Sequence, residues 1–392
     1  WVHRITSVAD VAPAAKAAVL QSLANGGQGA TLIFPADFQY GTADSVNPNG
    51  NITSSAKPVN SAFDAQACAA RLKHSKHTVF LLGGGGDASG LGERAQKAVA
   101  RLCAVLGASA FAETFPSRAE RGQGLPFFDR LPYFPEPARA VLDPARLVVL
   151  AGALAPVTYF GYEGHPSALV GEDRLMVLGQ PGEDIASQLE QLAELLQAPA
   201  YQAPQAELPA WRDEALTPTG VAAVLAQELP SRAIVSVEGG TCGYPFYAAS
   251  CAAQPHTTLT NTGGAIGQGL PVAMGAAIAC PDRQVVALVS DGSTQYTIQA
   301  LWSMAHEALD IVVLVTANHQ YAILRNELRR GGASLGEKAA AITSLDNPRI
   351  DWVGLAQAYG VPASRASTTQ ELQTRLQEAF SRRGPALIEM AL

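Results

Sequence analysis

Asp291 closes an apolar run in the stretch VSDGSTQYTIQ (289–299), and Asn318 closes the next one, in DIVVLVTANHQY (310–321). Both side chains carry hard oxygen donors of the kind Mg2+ prefers. They stand 27 positions apart, which leaves room for one crossover helix and one strand. A right-handed crossover lays successive parallel strands side by side. The pair would then share the carboxyl ends of the strands, where open parallel sheets bind ligands. A cation held by one carboxylate and one amide keeps positions for diphosphate oxygens. Gly292 would let a phosphate approach the backbone, Ser293 offers a hydroxyl, and a helix starting there offers N–H groups. Taken singly, Asp291 reads as a helix N-cap and Asn318 as a turn residue. Their joint placement points to a metal and diphosphate centre.

Other chemistries find less support. The run Gly83 to Gly86 satisfies GxGxxG at no register and lacks a following Lys-Ser/Thr pair. It reads as a tight strand-to-helix turn, with a nucleotide phosphate at the helix start as the alternative, and no motif calls for FAD. His74 and His77 lie in the basic segment RLKHSKH, and His3, His165, His256 and His306 are isolated. None has the clustered spacing of a zinc site. His319, next to Asn318, either lines the site or faces solvent. Ser293 sits in DGS rather than GxSxG, so a hydrolase elbow does not fit.

The elements around these residues are those of an α/β protein. The chain has 392 residues, 48% of them hydrophobic, and a net charge of −7. That length suits two or three domains, and without a basic patch nucleic acid is excluded as a partner. Five cysteines without CxxC spacing read as reduced thiols in a cytoplasmic protein. No run reaches the ~18 apolar residues of a membrane helix, and no signal peptide is evident. An Asn-Ile-Thr at 51–53 matches a glycosylation acceptor that a cytoplasmic chain would leave unused.

Residues 1–40 read as a helix with Ala14, Ala17, Val19, Leu20 and Leu23 along one stripe, then a buried strand, ATLIFP. They look like the last unit of a domain whose beginning is absent. A polar linker at 41–60 leads to a central α/β domain at 61–197. Its strands lie within 77–86, 145–154 and 174–180, and its helix at 184–197 carries Ile185, Leu189, Leu192 and Leu196 on one face. A proline-bearing linker at 198–216 precedes the last domain, 217–392. That domain opens on a helix capped by Thr217 or Thr219, followed by strands at 233–240, QVVALVS, IVVLVTAN and PALIEMAL. Ile298, Leu301, Trp302, Ala305 and Leu309 form the buried face of the helix between the two metal-bearing strands.

The segment SDGSTQYTIQALWSMAHEALDIVVLVTANHQYAILR resembles the thiamine-diphosphate motif of the 2-keto-acid decarboxylase and acetolactate synthase superfamily. That motif is Gly-Asp-Gly, just under thirty residues, then Asn, and here its first Gly is Ser290. TNTGGAIGQGLPVAMGAAIA resembles the loop before the motif, and VEGGTCGYPFY the first diphosphate-contact loop. The order of the three motifs is the family's own. The resemblance extends to acetolactate synthase large subunits and then to benzoylformate decarboxylases. It implies parallel-sheet, three-layer domains of the thiamine-diphosphate-binding fold, with residues 1–40 as the end of a pyrimidine-binding domain.

The resemblance also assigns roles. Asp291 and Asn318 would bind Mg2+ by side chain and Gln320 by its carbonyl. Gly240, Thr241, Gly292 and Ser293 would hold the diphosphate. Ile266 would wedge under thiamine diphosphate and bend it, and Gly264 would accept a hydrogen bond from its amino group. Tyr321, Ile323 and Glu327 follow the metal loop; Tyr321 and Ile323 would contact the cofactor, and Ile323 and Glu327 would face substrate. The family's activating glutamate has no counterpart in this chain. The implied reaction is decarboxylation or carboligation of a 2-keto acid in a homodimer or homotetramer. A 2-hydroxyacyl-CoA lyase is a further enzyme reading, and a catalytically inert cofactor-binding fragment is the reading from another class. The short NHQYAILR after the metal Asn is nearer the decarboxylase pattern than the longer synthase segment.

Overall fold

The computed structural model describes residues 1–24, 28–42, 63–180 and 182–392. The linker expected at 41–60, except residues 41 and 42, and the Asn-Ile-Thr at 51–53 lie outside the described residues. The chain forms two compact units, residues 1–114 with 130–201 and residues 115–129 with 202–392.

In the first unit, β1 (Val2–Arg4) pairs parallel with β2 (Thr31–Ile33), joined through the helix Val11–Leu23. The helix forms as its periodicity predicts, yet only Ala14 on it is buried. Val19, Leu20 and Leu23 are exposed, and so is Ile33 of the strand expected to be buried. One helix and a two-stranded sheet offer each other too little area to cover an apolar stripe.

A four-stranded parallel sheet makes the rest of this unit. Its strands are β3 (Thr78–Leu82) and β4 (Ser109–Ala112), then, after β5 (Arg118–Arg121) of the second unit, β6 (Leu147–Ala151) and β7 (Leu175–Leu178). The order is β4-β3-β6-β7. β3 and β6 are buried at every residue, as strands covered on both faces must be. The turn after β3 passes so close to the end of β6 that a Cβ on Gly83 would lie 2.1 Å from the Gly152 carbonyl oxygen. Asp184 caps the helix Ile185–Leu195, accepting the Ser187 N–H at 3.0 Å, and Ile185, Leu189 and Leu192 are buried.

The second unit is built on a seven-stranded sheet. After β5 come β8 (Ile234–Val237), β9 (His256–Thr260), β10 (Val285–Ser290), β11 (Ile311–Ala317), β12 (Ala363–Ala366) and β13 (Ala386–Ala391). The order is β12-β13-β11-β10-β8-β9-β5, parallel throughout except that β5 runs antiparallel to β9. Thr217 caps the helix Pro218–Glu228 by accepting the Gly220 N–H at 3.0 Å. In the helix Ala300–His306, Leu301 and Met304 are buried while Trp302, expected inside, is 56% exposed and stacks on His306. Leu301 and Met304, three residues apart, set the inward stripe of this short helix, and Trp302 falls outside it.

Candidate active site

β10 and β11 pair in register from Val285↔Ile311 to Ser290↔Thr316, so Asp291 and Asn318 each follow the carboxyl end of neighbouring strands. Asp291 is 2% exposed. Its Oδ1 accepts the Gly292 N–H at 2.8 Å and its Oδ2 the His319 N–H at 2.7 Å. Burial pushes its carboxyl upward, and these two N–H groups oppose that shift. Asn318 Oδ1 accepts the Gln320 N–H at 3.1 Å, and its Nδ2 reaches Thr241 Oγ1 at 3.3 Å. His319 is buried, with a positive φ of 53°, and its Nε2 accepts from Arg349 at 3.1 Å. Of the two roles open to it, facing solvent is ruled out.

Gly240 and Thr241 start the helix Gly240–Ala249 after β8. Just before it, Gly239 has φ 104°, and a Cβ there would lie 2.1 Å from Ser290 Oγ. The loops after β8 and β10 are therefore in contact, and the Ser290 hydroxymethyl is accommodated because Gly239 has no side chain. The Ser293 hydroxyl donates to the Ser290 carbonyl at 3.0 Å and accepts the Ser290 N–H at 3.2 Å, so it is engaged within its own turn. The close approach that Gly292 permits here is that of an aromatic ring: a Cβ on Gly292 would sit 2.8 Å from Tyr321 Cε1.

The loop 262–269 carries Gly264, at φ 69°, and Ile266, which is 59% exposed. Glu238, at the end of β8, is buried and accepts the N–H groups of Gly267 and Gly269. Sequence reasoning passed over Glu238, although an acid closing an apolar strand is the same signal that singles out Asp291. On the helix Ala322–Arg330, the exposed Ile323 and the half-buried Glu327 lie one turn apart, and Glu327 pairs with Arg330 at 3.6 Å. Arg325, also passed over, binds the Gln320 side chain and donates to Thr343 Oγ1 at 2.9 Å.

A family model described as "Thiamine pyrophosphate enzyme, C-terminal TPP binding domain" matches residues 239–390. A Mycobacterium tuberculosis protein named "Putative acetolactate synthase large subunit IlvX" is 40% identical over the whole chain and 75% of its own length. The chain belongs to the thiamine-pyrophosphate-dependent enzyme family. A benzoylformate decarboxylase of Pseudomonas aeruginosa is 32% identical, over 82% of this chain and 62% of its own length. The chain thus spans less than two thirds of that relative. Among solved structures, the thiamine diphosphate-dependent 4-hydroxybenzoylformate decarboxylase of Rhodococcus jostii RHA1 shares the fold. Its TM-score is 0.76 at 24% identity, covering 100% of this chain and 76% of that one.

A thiamine-pyrophosphate enzyme must hold a diphosphate, and the donors at the ends of β10 and β11 suit one bridged by a divalent cation. Among the described residues, no three His, Cys, Asp or Glu side chains gather to hold a metal. The candidate donors are instead one buried carboxylate, the amide oxygen of Asn318 and the carbonyl of Gln320. Asn318 Oδ1 and the Gln320 carbonyl each accept one N–H, the latter from Ala322 at 2.9 Å. An sp2 oxygen keeps a second lone pair after one hydrogen bond. The set is all oxygen with a single negative charge, which matches Mg2+ completed by phosphate and water. Among the described residues Asp291 has only backbone N–H groups as hydrogen-bond partners, and a cation beside it would favour its charged form.

Proposed function

We propose that this enzyme carries out thiamine-diphosphate- and Mg2+-dependent decarboxylation of 2-keto acids, with condensation onto a second carbonyl giving acetolactate-synthase-like carboligation. The observation that carries the reading is the linkage of three strand-end loops: Asn318 Nδ2 reaches Thr241 Oγ1, and Asp291 holds the His319 N–H. Asp291, Asn318 and the Gln320 carbonyl would hold Mg2+. Gly240 and Thr241 would meet the diphosphate, with Gly292 and Ser293 giving up contacts inside their turn to do so. Ile266 would press on the cofactor from its exposed position, and Gly264 would accept from its amino group. When bound, thiamine diphosphate supplies the carbanion that adds to a keto carbonyl and accepts the electrons left by CO2. Ile323 and Glu327 would border the substrate. The names of the Mycobacterium and Pseudomonas relatives support 2-keto acids as the substrate class.

Simple decarboxylation of an aromatic 2-keto acid is a second reading, favoured by the short segment between Asn318 and the helix Ala322–Arg330. We assign the enzyme to the cytoplasm on its five free cysteines and infer a homo-oligomer. Among the described residues no helix is long and apolar enough to cross a membrane. The test is product analysis with pyruvate and with benzoylformate, each with and without thiamine diphosphate and Mg2+. CO2 release with a 2-hydroxy-2-methyl keto acid from pyruvate supports carboligation. Aldehyde alone from benzoylformate supports the second reading. Cofactor binding without CO2 from any 2-keto acid would leave a non-catalytic binding module.

A further inference from the structure

Glu238 lies under the loop that presents Gly264 and Ile266. Its carboxylate accepts the N–H groups of Gly267 and Gly269, and a Cβ on Gly269 would lie 2.6 Å from Glu238 Oε2. The carbonyls of the same two glycines are held as well. Thr297 Oγ1 donates to the Gly267 carbonyl at 2.8 Å, and Ser236 Oγ to the Gly269 carbonyl at 2.8 Å. Gly267, at φ 97°, has a backbone geometry that only glycine adopts without strain. Four side-chain contacts thus fix two peptide positions, immediately beside a 59% exposed isoleucine. A buried carboxylate without a cationic partner is costly, and here it accepts two backbone donors at one loop.

We propose that Glu238 is a positioning residue: by gripping the N–H groups of Gly267 and Gly269 it sets the height at which Ile266 and the Gly264 carbonyl meet thiamine diphosphate. This rests on the cofactor assignment made above. Glu238→Gln keeps the length of the side chain but offers one acceptor and one NH2 group to two N–H donors, so one contact must fail. Thr297→Val removes a contact to the same loop from the carbonyl side without touching the carboxylate.

The experiment measures amide exchange over 264–269, thiamine diphosphate affinity at saturating Mg2+ by calorimetry, and kcat and KM for the substrate the wild type turns over. In Glu238→Gln, loop amides are expected to exchange at least about tenfold faster, the scale of a lost charged hydrogen bond. Cofactor affinity should weaken about tenfold, and kcat should fall while KM changes little. Glu238→Asp should give intermediate values, and Thr297→Val smaller changes in the same direction. If Glu238→Gln fails to fold, Thr297→Val and Glu238→Asp carry the test. Wild-type loop protection in these variants would overturn the grip itself. Faster exchange with unchanged affinity and kcat would overturn its role toward the cofactor. A wild-type protein that binds no thiamine diphosphate overturns the cofactor assignment, and this failure appears before any variant is compared.

Discussion

Asp291 Oδ2 accepts the backbone N–H of His319 at 2.7 Å, so the residue just after β10 binds the backbone one step beyond Asn318, the residue just after β11. The bond holds His319 at a positive φ of 53°, which is uncommon for a residue with a side chain. The preceding residue, Asn318, reaches Thr241 Oγ1 with its amide at 3.3 Å. One carboxylate is therefore both the first candidate ligand and a backbone anchor beside the second.

Asp291→Ala should abolish Mg2+-dependent thiamine diphosphate binding while the protein stays folded. Two buried N–H groups lose their acceptor, at about 1–3 kcal/mol, and removal of a buried carboxylate offsets part of that. Calorimetry for the cofactor and thermal unfolding of the unliganded protein are the measurements. Unchanged affinity would remove Asp291 from the metal site.

Gly292→Ala should destabilise the protein by about 1–3 kcal/mol, the usual cost of overpacking, because the new methyl meets the Tyr321 ring. In a Tyr321→Ala background the penalty should shrink to a few tenths of a kcal/mol. A double-mutant cycle in denaturant reads the coupling. Additive effects would show that the ring does not define the space over Gly292.

Glu113 directly follows the strand β4, accepts the Gly84 N–H at 2.6 Å, and is pushed by burial to a pKa of about 7. An acid raised in the folded state binds its proton more tightly there than in the unfolded chain. Its stabilising contribution is complete below its ordinary pKa of 4.5 and is lost as pH rises to about 7. Glu113→Gln, which can still accept the Gly84 N–H, should remove that slope and stabilise the protein on the order of 2 kcal/mol at pH 8. Unfolding curves of both proteins from pH 4 to pH 8 check this, and parallel curves would count against it.

Ile278, Trp302 and Tyr296 are exposed on the second unit, on or near the helices Gly269–Ala279 and Ala300–His306. A homodimer or larger homo-oligomer is expected to cover such residues. Ile278→Glu should lower the mass seen by light scattering at micromolar concentration. A wild type that is monomeric there would refute the expectation.

The pairing of Asp291 with Asn318 was legible because two all-apolar runs and one helix-length gap permit little besides a parallel crossover. Trp302 was misplaced because spacing gives a stripe but not its phase when the helix has only seven residues. Val19 and Leu20 show that a stripe does not guarantee a covering layer. Glu238 was missed because its partners, Gly267 and Gly269, lie 29 and 31 residues onward. The glutamate at the end of a strand that runs into two glycines shows no partner until the fold brings the 267–269 loop against it. Gly292 is read as making room for phosphate, and nothing in the sequence signals that the Tyr321 ring also lies against it.

β5 has a consequence for how the chain can be divided. Its four residues, Arg-Ala-Glu-Arg, come from the middle of the first unit's sequence, yet they pair with β9 from Arg118↔Leu259 to Arg121↔His256. Thr257, Thr258 and Thr260 add side-chain bonds to Glu120, Ala119 and Pro116 of the same excursion. No single cut releases an intact second unit. A fragment beginning at residue 202 would leave β9 with unpaired N–H and C=O groups along its outer side, a template for joining other chains. Separating the units cleanly would need the excursion to be cut at both ends and rejoined, or supplied as a peptide.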